Sequence, residues 1–449
     1  MKKIVLSFAF LSLAIGLFAQ KPDSSSAASM SLKQALDFAM KNQVSVKNAD
    51  IDKEITEAKR KEVLGVGMPQ INGSGDMSDY LSLPTSLIPA EFFGGKPGTF
   101  IGLKFGTQYN ASGSINASQM IFDGTFFLAL KAMKGFMEIS EKASVRTRIE
   151  VASAVTKAYY NVLIMEDRMA LLDANITRIK KLLDDTKALN DNGFVEKIDL
   201  DRITVNYNNL MTERDKTKRF ADLSYNLLKY QMGMDQQTKL SVTDKLNDAL
   251  LSPDAAANDK FDPSKRIEFS LLETQQKMNY LELKKNKYGY FPSLAAYASG
   301  MESAYRTKVD FADPNGTWYA TSLVGLRLTV PIFDGGQKHA RVQQNKLNIM
   351  KTDNDIKALQ QGLDLEFTNA KTQLINASNT LGVQKKNIDL ATEIYDVSKK
   401  KYEQGVGSNL EVLNAESSLK EAQTNYYSAL YDALNAKVDF DKANGSLLK

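Results

Sequence analysis

The chain of 449 residues contains no cysteine and a single histidine, His339. Without cysteine the chain forms no disulfide and has no thiol chemistry. One imidazole is too few for histidine-rich metal sites, and it argues against histidine-based catalysis. The phosphate-binding pattern Gly-x-x-x-x-Gly-Lys-Ser/Thr is also absent. We therefore expect no enzymatic activity, no catalytic residue, no metal and no cofactor.

An excess of one charge and a long apolar run are also missing from most of the chain. Lys and Arg number 57 against 53 Asp and Glu, which argues against a nucleic-acid partner. Residues 1–19 combine Lys2 and Lys3 with an apolar stretch from Ile4 to Phe18, and this pattern predicts a secretory signal peptide. No later run approaches the roughly 20 apolar residues of a membrane helix. If the exported chain enters a membrane, we expect it to do so as a β-barrel.

The sequence is rich in the three-four spacing of helices that pack along one narrow seam. Apolar residues keep this spacing from Leu363 to Tyr402 and again from Leu419 to Phe440. Gly405 and Gly407 lie between the two runs, and glycines end a helix and allow the chain to reverse. The spacing predicts a long helical hairpin over residues 337–445. A single hairpin of this kind would be typical of a coiled-coil stalk.

A second hairpin and two pairs of strands precede it. The same spacing runs from Val151 to Leu183, with a turn at Gly193, and predicts a hairpin over residues 126–232. Alternating polar and apolar residues, many of them small, predict strands at 69–82, 107–122 and 318–333. A further strand is predicted at 292–305, because Gly289–Pro292 repeats the pattern of Gly67–Pro69 that precedes the first strand. Their lengths suit membrane-spanning strands of about 9–11 residues or somewhat more. Leu81–Gly106 is predicted to be a long hairpin loop, and Ser31 to about Leu64 a helix.

Two landmarks recur at nearly the same offset, which indicates an internal duplication. Phe122-Asp123-Gly124 returns as Phe333-Asp334-Gly335, an offset of 333 − 122 = 211, and Gly193 returns as Gly405, an offset of 405 − 193 = 212. At each strand-to-helix junction an Asp precedes Gly, and Asp123 is placed to cap the following helix. We expect a first repeat over residues 20–239, a linker over 240–266 and a second repeat over 267–449.

Four strands are too few to close a barrel, which needs about eight or more. An open sheet in lipid would leave its edge groups without hydrogen bonds. Several copies sharing one barrel would solve this problem. The sequence thus predicts a mainly α-helical fold with a small β part, in which several exported copies share a β-barrel on a long α-helical tube. A periplasmic coiled-coil scaffold or adhesin is the alternative, although it has no need of two pairs of amphipathic strands.

The chain resembles the TolC-like outer membrane efflux protein family over its whole mature length. The resemblance is carried by the duplicated order of elements, by Pro331–Gly336 at a strand-to-helix junction and by Gly405–Ala415 at a helical turn. It implies a homotrimer with a 12-stranded barrel in outer-membrane lipid and a 12-helix tunnel in the periplasm. It also implies a periplasmic adaptor protein and an inner-membrane pump as partners, and passive export of drugs, metals or proteins.

The same resemblance suggests which residues form the functional sites. Glu411 falls where some family members carry an acid, and Asn414 where members often carry Asp. Asp199 matches an aspartate of a gate link, so the three are predicted gate residues. A solvated carboxylate at a helix start is the simpler reading of Glu411. The predicted adaptor-docking residues lie in the two turns: Gly193, Phe194, Val195, Gly405, Val406 and Gly407.

Overall fold

The computed structural model describes residues 28–246 and 260–448. The predicted signal peptide and residues 247–259 of the predicted linker lie outside these ranges. The described chain is mainly helical, with a small β part. Its helices are α1 (Leu32–Asn42), α2 (Val44–Val66), α3 (Gly124–Asp191), α4 (Lys197–Met232), α5 (Ile267–Tyr288), α6 (Gln337–Glu403) and α7 (Asn409–Asn444). Its strands are β1 (Ala28–Met30), β2 (Gln70–Asp79), β3 (Thr85–Pro89), β4 (Phe100–Lys104), β5 (Tyr109–Phe122), β6 (Leu240–Val242), β7 (Ser293–Arg306) and β8 (Tyr319–Thr329).

The chain divides into two compact units, each built from three segments. Unit 1 comprises Met1–Gln43, Ala154–Leu250 and Gly382–Leu434, and unit 2 comprises Val44–Ser153, Leu251–Leu381 and Asn435–Lys449. The long helices α3, α6 and α7 contribute residues to both units. Unit 1 holds both helical turns, and unit 2 holds the longer strands. The two units are described separately below.

Unit 1 begins with a short parallel pair of strands, β1 and β6. The sequence predicted no strand at either position, and β6 lies at the start of the predicted linker over residues 240–266. Helix α1 starts at a capping box formed by Ser31 and Gln34, which satisfies two backbone donors at the helix start. The chain is extended at Gln43, where the single helix predicted from Ser31 to Leu64 divides into α1 and α2.

The core of unit 1 follows the predicted three-four spacing of both hairpins. Leu172, Ile179 and Leu182 of α3 pack with Tyr395 of α6 and Val412 of α7. Helix α4 contributes two more buried side chains, Ile203 and Leu210. Four helix segments therefore share one apolar seam, as expected for heptad packing. This confirms the predicted seams in this part of the chain.

Unit 2 contains an antiparallel sheet of four strands in the order β2-β5-β7-β8. The two central strands, β5 and β7, come from different sequence repeats. The two repeats are therefore joined within one sheet by the pairing of β5 with β7. The register pairs Gly113 with Glu302 and Glu302 with Ala320. Strand β8 ends at Thr329 and β2 at Asp79, earlier than the predicted ends at residues 333 and 82. Pro331 explains the first difference, because proline lacks the N–H that a ladder needs.

The two faces of this sheet differ in chemistry. Cross-strand partners share a face, and one face is polar along the β2–β5–β7 ladder, where Ser74 and Ser114 lie 2.8 Å apart and Ser299 donates to Asn116 at 2.6 Å. The other face is exposed and carries mainly apolar or small side chains, although Glu302 also lies on it. Its larger side chains are Ile71, Met77, Ile115, Val324, Leu326 and Leu328. The alternation predicted from the sequence is therefore present in β2, β5 and β8, whereas β7 follows it less strictly, with Met301 on the polar face and Glu302 on the other.

The segment Leu81–Gly106 is more than the loop predicted from the sequence. It folds into its own two-stranded hairpin of β3 and β4, with Leu87 opposite Gly102 and Ile88 opposite Ile101. A short 3-10 helix, Ala90–Phe93, lies between the two strands. Within the described ranges, no helix is both long and apolar enough to cross a membrane.

Candidate functional site at the helical turns

The two helical turns of unit 1 have the same backbone geometry. At the first turn the N–H groups of Gly193 and Phe194 donate to Asn190 and Leu189. At the second, those of Gly405 and Val406 donate to Tyr402 and Lys401. This pairing is a Schellman motif, in which a left-handed residue ends the helix. Both glycines have a positive φ, 79° at Gly193 and 74° at Gly405, a conformation that a side chain disfavours.

Each turn presents one large apolar side chain. Phe194 is 77% exposed and Val406 is 75% exposed, which is unusual for side chains of this size beside a packed core. Gly407 is tightly placed, because a Cβ there would lie 2.9 Å from the Lys401 Cβ. The predicted docking residues are thus at the surface or in close-packed turns of one unit.

A groove lies between the ends of α3 and α6 in unit 1. Its volume is about 760 Å³. The sides are apolar, with Leu182, Phe194 and Tyr402, and charged side chains such as Lys181 and Glu403 also line the groove. Such a mixed groove can accept an amphipathic segment of another protein.

The predicted gate residues Glu411 and Asn414 lie on the first turns of α7. Both are exposed. The backbone N–H of Glu411 donates to Ser408 Oγ at 3.2 Å, so Ser408 caps the helix. A carboxylate at this position is also favoured by the helix dipole. The geometry of one chain is therefore compatible with both interpretations of Glu411 given above.

Asp199 connects the two hairpins through its backbone. Asn409 Nδ2 donates to the Asp199 carbonyl oxygen at 3.2 Å. The Asp199 carboxylate instead faces Arg202 on its own helix, at 3.9 Å. Asn409 is buried and its Oδ1 has no hydrogen-bond partner among the described residues. At Asp199, the link between the two hairpins is thus made by the Asn409 side chain.

A buried polar cluster near the gate residues, centred two residues after Asn414 on α7, escaped the sequence analysis. Glu416 is only 2% exposed, and neither of its carboxylate oxygens has a hydrogen-bond partner in the described chain. Arg178 of α3 lies nearby, with 3.9 Å between Nη2 and Oε1. The Arg178 guanidinium is 5.4 Å from the ring centre of Tyr395. Glu416, Arg178 and Tyr395 therefore bring α3, α6 and α7 together through one incompletely satisfied charge.

Burial sets the protonation of this cluster. Loss of solvent raises the pKa of the Glu416 carboxyl, and the charges of Arg178 and Lys420 only partly oppose the shift. Burial also raises the pKa of the Tyr395 hydroxyl, and the Glu416 charge adds to the effect. A carboxyl in these surroundings favours its neutral form.

A second set of contacts extends the cluster along the same helices. Asn175 Nδ2 donates to Gln423 Oε1 at 2.9 Å, and Lys420 forms an ion pair with Glu213 of α4. All four helices of unit 1 that meet at the turns are thus linked by polar side chains as well as by the apolar seam. Buried links of this kind specify one arrangement of the helices.

The two strand-to-helix junctions lie in unit 2, and at each of them an aspartate side chain accepts hydrogen bonds from backbone N–H groups. The Asp123 Oδ1 accepts hydrogen bonds from the N–H groups of Thr125 at 2.7 Å and Phe126 at 3.3 Å. Asp334 accepts from Gly336 at 3.1 Å and Lys338 at 3.0 Å. Both aspartates therefore satisfy free N–H groups where a helix begins. Phe122, Gly124, Phe333 and Gly335 complete the predicted junctions.

No group of three or more potential metal-ligating side chains occurs in residues 28–246 or 260–448.

Comparison with known proteins agrees with these features. Residues 284–446 match the family described as outer membrane efflux protein. The chain is 21% identical over 342 residues to the outer membrane protein TolC of Vibrio cholerae, covering 75% of this chain and 77% of that one. It is also 21% identical to the toluene efflux pump outer membrane protein TtgC of Pseudomonas putida, over 76% of this chain and 69% of TtgC.

The fold is shared with solved outer membrane channels. The Campylobacter jejuni channel CmeC superposes with a TM-score of 0.69 at 18% identity, covering 92% of this chain and 85% of CmeC. The partial family match, the relatives and the common fold together show that the chain is similar to TolC-like outer membrane efflux proteins.

Proposed function

We propose that three copies of the chain form an outer-membrane channel that passively exports small molecules or proteins. In this assembly the three four-stranded sheets close into one barrel of 12 strands. The long hairpins form an α-helical tunnel in the periplasm. The match of residues 284–446 to the outer membrane efflux protein family and the shared channel fold support this function.

The observation that carries the proposal is the sheet with one polar face, one apolar face and two free edges. Strands β2 and β8 are the edges, and an edge in lipid costs several kcal/mol for each unpaired group. Because the strands alternate in direction across four positions, β2 of one copy and β8 of the next run antiparallel. Identical copies can therefore continue the ladder until it closes, with the polar face inside.

The same proposal assigns the helical turns to partner proteins. TtgC is named as the outer membrane protein of a toluene efflux pump, and this chain would likewise serve an inner-membrane pump through a periplasmic adaptor. The exposed Phe194 and Val406 and the neighbouring groove offer apolar surface for that adaptor.

The gate of the channel is assigned to the start of α7. Three copies of Glu411 would approach one another around the three-fold axis, with Asn414 one turn further along. Like charges at close range repel each other and attract cations. The closed tunnel would consequently pass few ions and prefer cations.

Planar-bilayer conductance tests this channel function. We expect discrete conductance from the purified protein with a preference for cations, weakened in Glu411→Ala and strengthened in Asn414→Asp. Glu421→Ala, an exposed acid further along the same helix, is the matched control and should leave selectivity unchanged. Absence of conductance would reject the channel. Equal selectivity in the wild type and both variants would place the gate elsewhere.

A further inference from the structure

The β3–β4 hairpin of unit 2 is attached to the main sheet only at its base. In the described chain β3 and β4 pair with each other and with no other strand. The base is fixed by the Tyr80 N–H, which donates to the Gln108 carbonyl at 2.8 Å, and by Gln108 Nε2, which donates to Asp79 Oδ1 at 3.1 Å. A two-stranded hairpin is marginally stable in water by itself, so this one needs another surface.

The hairpin exposes an unusual amount of apolar surface. Leu81 is 94% exposed, Phe92 78% and Leu87 70%. Ala90 is the one buried residue between positions 80 and 108, a range that is fully described. Phe93, Phe100 and Phe105 are exposed as well. Several large apolar side chains exposed on one short hairpin indicate an interaction site, and the rest of the described chain does not cover them.

The sheet topology determines what lies beside the hairpin. It follows β2, which is an edge strand. In a closed ring of copies, β8 of the next copy runs antiparallel along β2, so its first residue Tyr319 meets the end of β2 at Asp79. The segment before β8, residues 307–318, joins β7 to β8 and is called the β7–β8 connector. Closure of the ring thus brings the neighbour's β7–β8 connector next to this hairpin.

The two surfaces are also complementary in composition. The β7–β8 connector carries apolar side chains, with Val309 and Trp318 exposed. Its charged residues are two acids, Asp310 and Asp313, and one lysine. The hairpin segment 80–108 has the opposite balance, with two lysines and one acid.

We propose that the β3–β4 hairpin packs against the β7–β8 connector of the adjacent copy and stabilises the oligomer at this end of the sheet. The inference rests on the proposed trimer, and it identifies a contact outside the barrel ladder and the helical tunnel. The neighbouring copy is the occupant because closure of the sheet itself places it there. Closure of the sheet does not in the same way place outer-membrane lipid or an unrelated protein beside the hairpin.

Cysteine crosslinking tests the contact directly, because the chain has no cysteine of its own. The double variant Phe93→Cys/Val309→Cys, oxidised in mild detergent, should give covalent dimers and trimers on a denaturing gel that reductant reverses. Each single variant should stay monomeric on the same gel. Intact trimers that give no crosslinked product would contradict the contact.

A stability measurement covers the possibility of unsuitable cysteine geometry. Phe92→Ser/Phe93→Ser should lower by several degrees the temperature at which the trimer dissociates in detergent. Val406→Ser removes an equally exposed apolar side chain from a helical turn and should leave that temperature unchanged. An unchanged dissociation temperature in the hairpin variant, together with absent crosslinks, overturns the inference.

A fluorescence experiment separates the neighbour from lipid. Trp318 is the only tryptophan, so Trp318→Phe/Phe92→Trp reports on the hairpin alone. Weak quenching by brominated lipids is expected, and strong quenching would assign the hairpin to the membrane and reject the contact. The native mass of the wild-type protein tests the proposed trimer separately from the hairpin contact. A monomer would overturn the trimer and this inference together, whereas a trimer that fails the tests above overturns the inference alone.

Discussion

Glu416 shows how one buried carboxyl can control the stability of the helical hairpins. It lies on α7 facing Arg178 of α3, Tyr395 of α6 and Lys420 of its own helix, and Lys420 in turn pairs with Glu213 of α4. Its carboxylate oxygens lack hydrogen bonds. A buried unsatisfied polar group costs about 1–3 kcal/mol, and more when it is charged.

The pKa of Glu416 is raised above the ordinary 4.5 in the folded chain. The stabilisation from its neutral form is therefore complete below about pH 4.5 and is lost as the pH rises through the folded value. Glu416→Gln cannot ionise, so its melting temperature relative to wild type should increase from pH 5 to pH 8. Thermal unfolding followed by circular dichroism at several pH values measures this difference.

Exposed Glu421→Gln on the same helix is the control, and its difference from wild type should not change with pH. Comparison with wild type at each pH is necessary because other carboxyls act in the opposite direction. Arg148 and Lys53, for example, lower the pKa of the Asp50 carboxyl. A Glu416→Gln curve parallel to that of wild type would show that Glu416 is ionised throughout this range.

The sequence contained a signal for Glu416, although we did not identify it. The residue lies four positions after Val412 and three before Leu419, which both belong to the apolar seam. That spacing places it on the buried side of α7. Acids on a helix are usually solvated, and the narrow seam read from the sequence did not include this position.

At the scale of elements, Asn409 rather than the Asp199 carboxylate links the two hairpins. The bond from Asn409 ends on a backbone carbonyl, which Asp199→Ala would retain. We therefore expect Asn409→Ala to raise the basal conductance of the channel by loosening closure. Asp199→Ala should have a smaller effect, in contrast to a latch based on its carboxylate. Single-channel recordings of the two variants give the comparison, and equal increases would contradict the assignment.

The turns themselves can be tested for adaptor docking. Gly193 adopts a positive φ with open space around it, so Gly193→Asp costs about 1 kcal/mol of backbone strain and places a charge at the tip. Crosslinking to the adaptor should be lost while the trimer survives. Asn208→Asp, at an exposed position further along α4, adds the same single negative charge and is the matched control. Retained crosslinking in Gly193→Asp would remove the turn from the docking surface.

Several elements were predictable from the sequence for physical reasons. The seams were visible because the heptad period recurs over many turns, and Asp123 and Asp334 could be recognised as caps by their position before Gly. The β1–β6 pair could not be predicted, since three residues per strand show no period. The break at Gln43 has no glycine or proline to mark it. The β3–β4 hairpin could not be predicted, because its segment, Leu81–Gly106, is rich in Gly and Pro and reads as a loop.

At the scale of the whole molecule, the internal duplication determines how many strands each copy offers to the proposed barrel. Each repeat contributes two strands to one sheet, and the pairing of β5 with β7 joins the repeats. The result is a sheet with two unpaired edges, β2 and β8, which other copies complete in the proposed trimer. The sequence predicted this requirement by counting strands, whereas the opposite direction of the two edges became visible only in the fold.

Native mass spectrometry of the purified protein in mild detergent tests the central claim most directly. Three copies in each particle are expected, because four strands per chain complete a barrel of 12, and the particle should dissociate to single chains on heating. A monodisperse, water-soluble single chain that needs no detergent would contradict the shared channel.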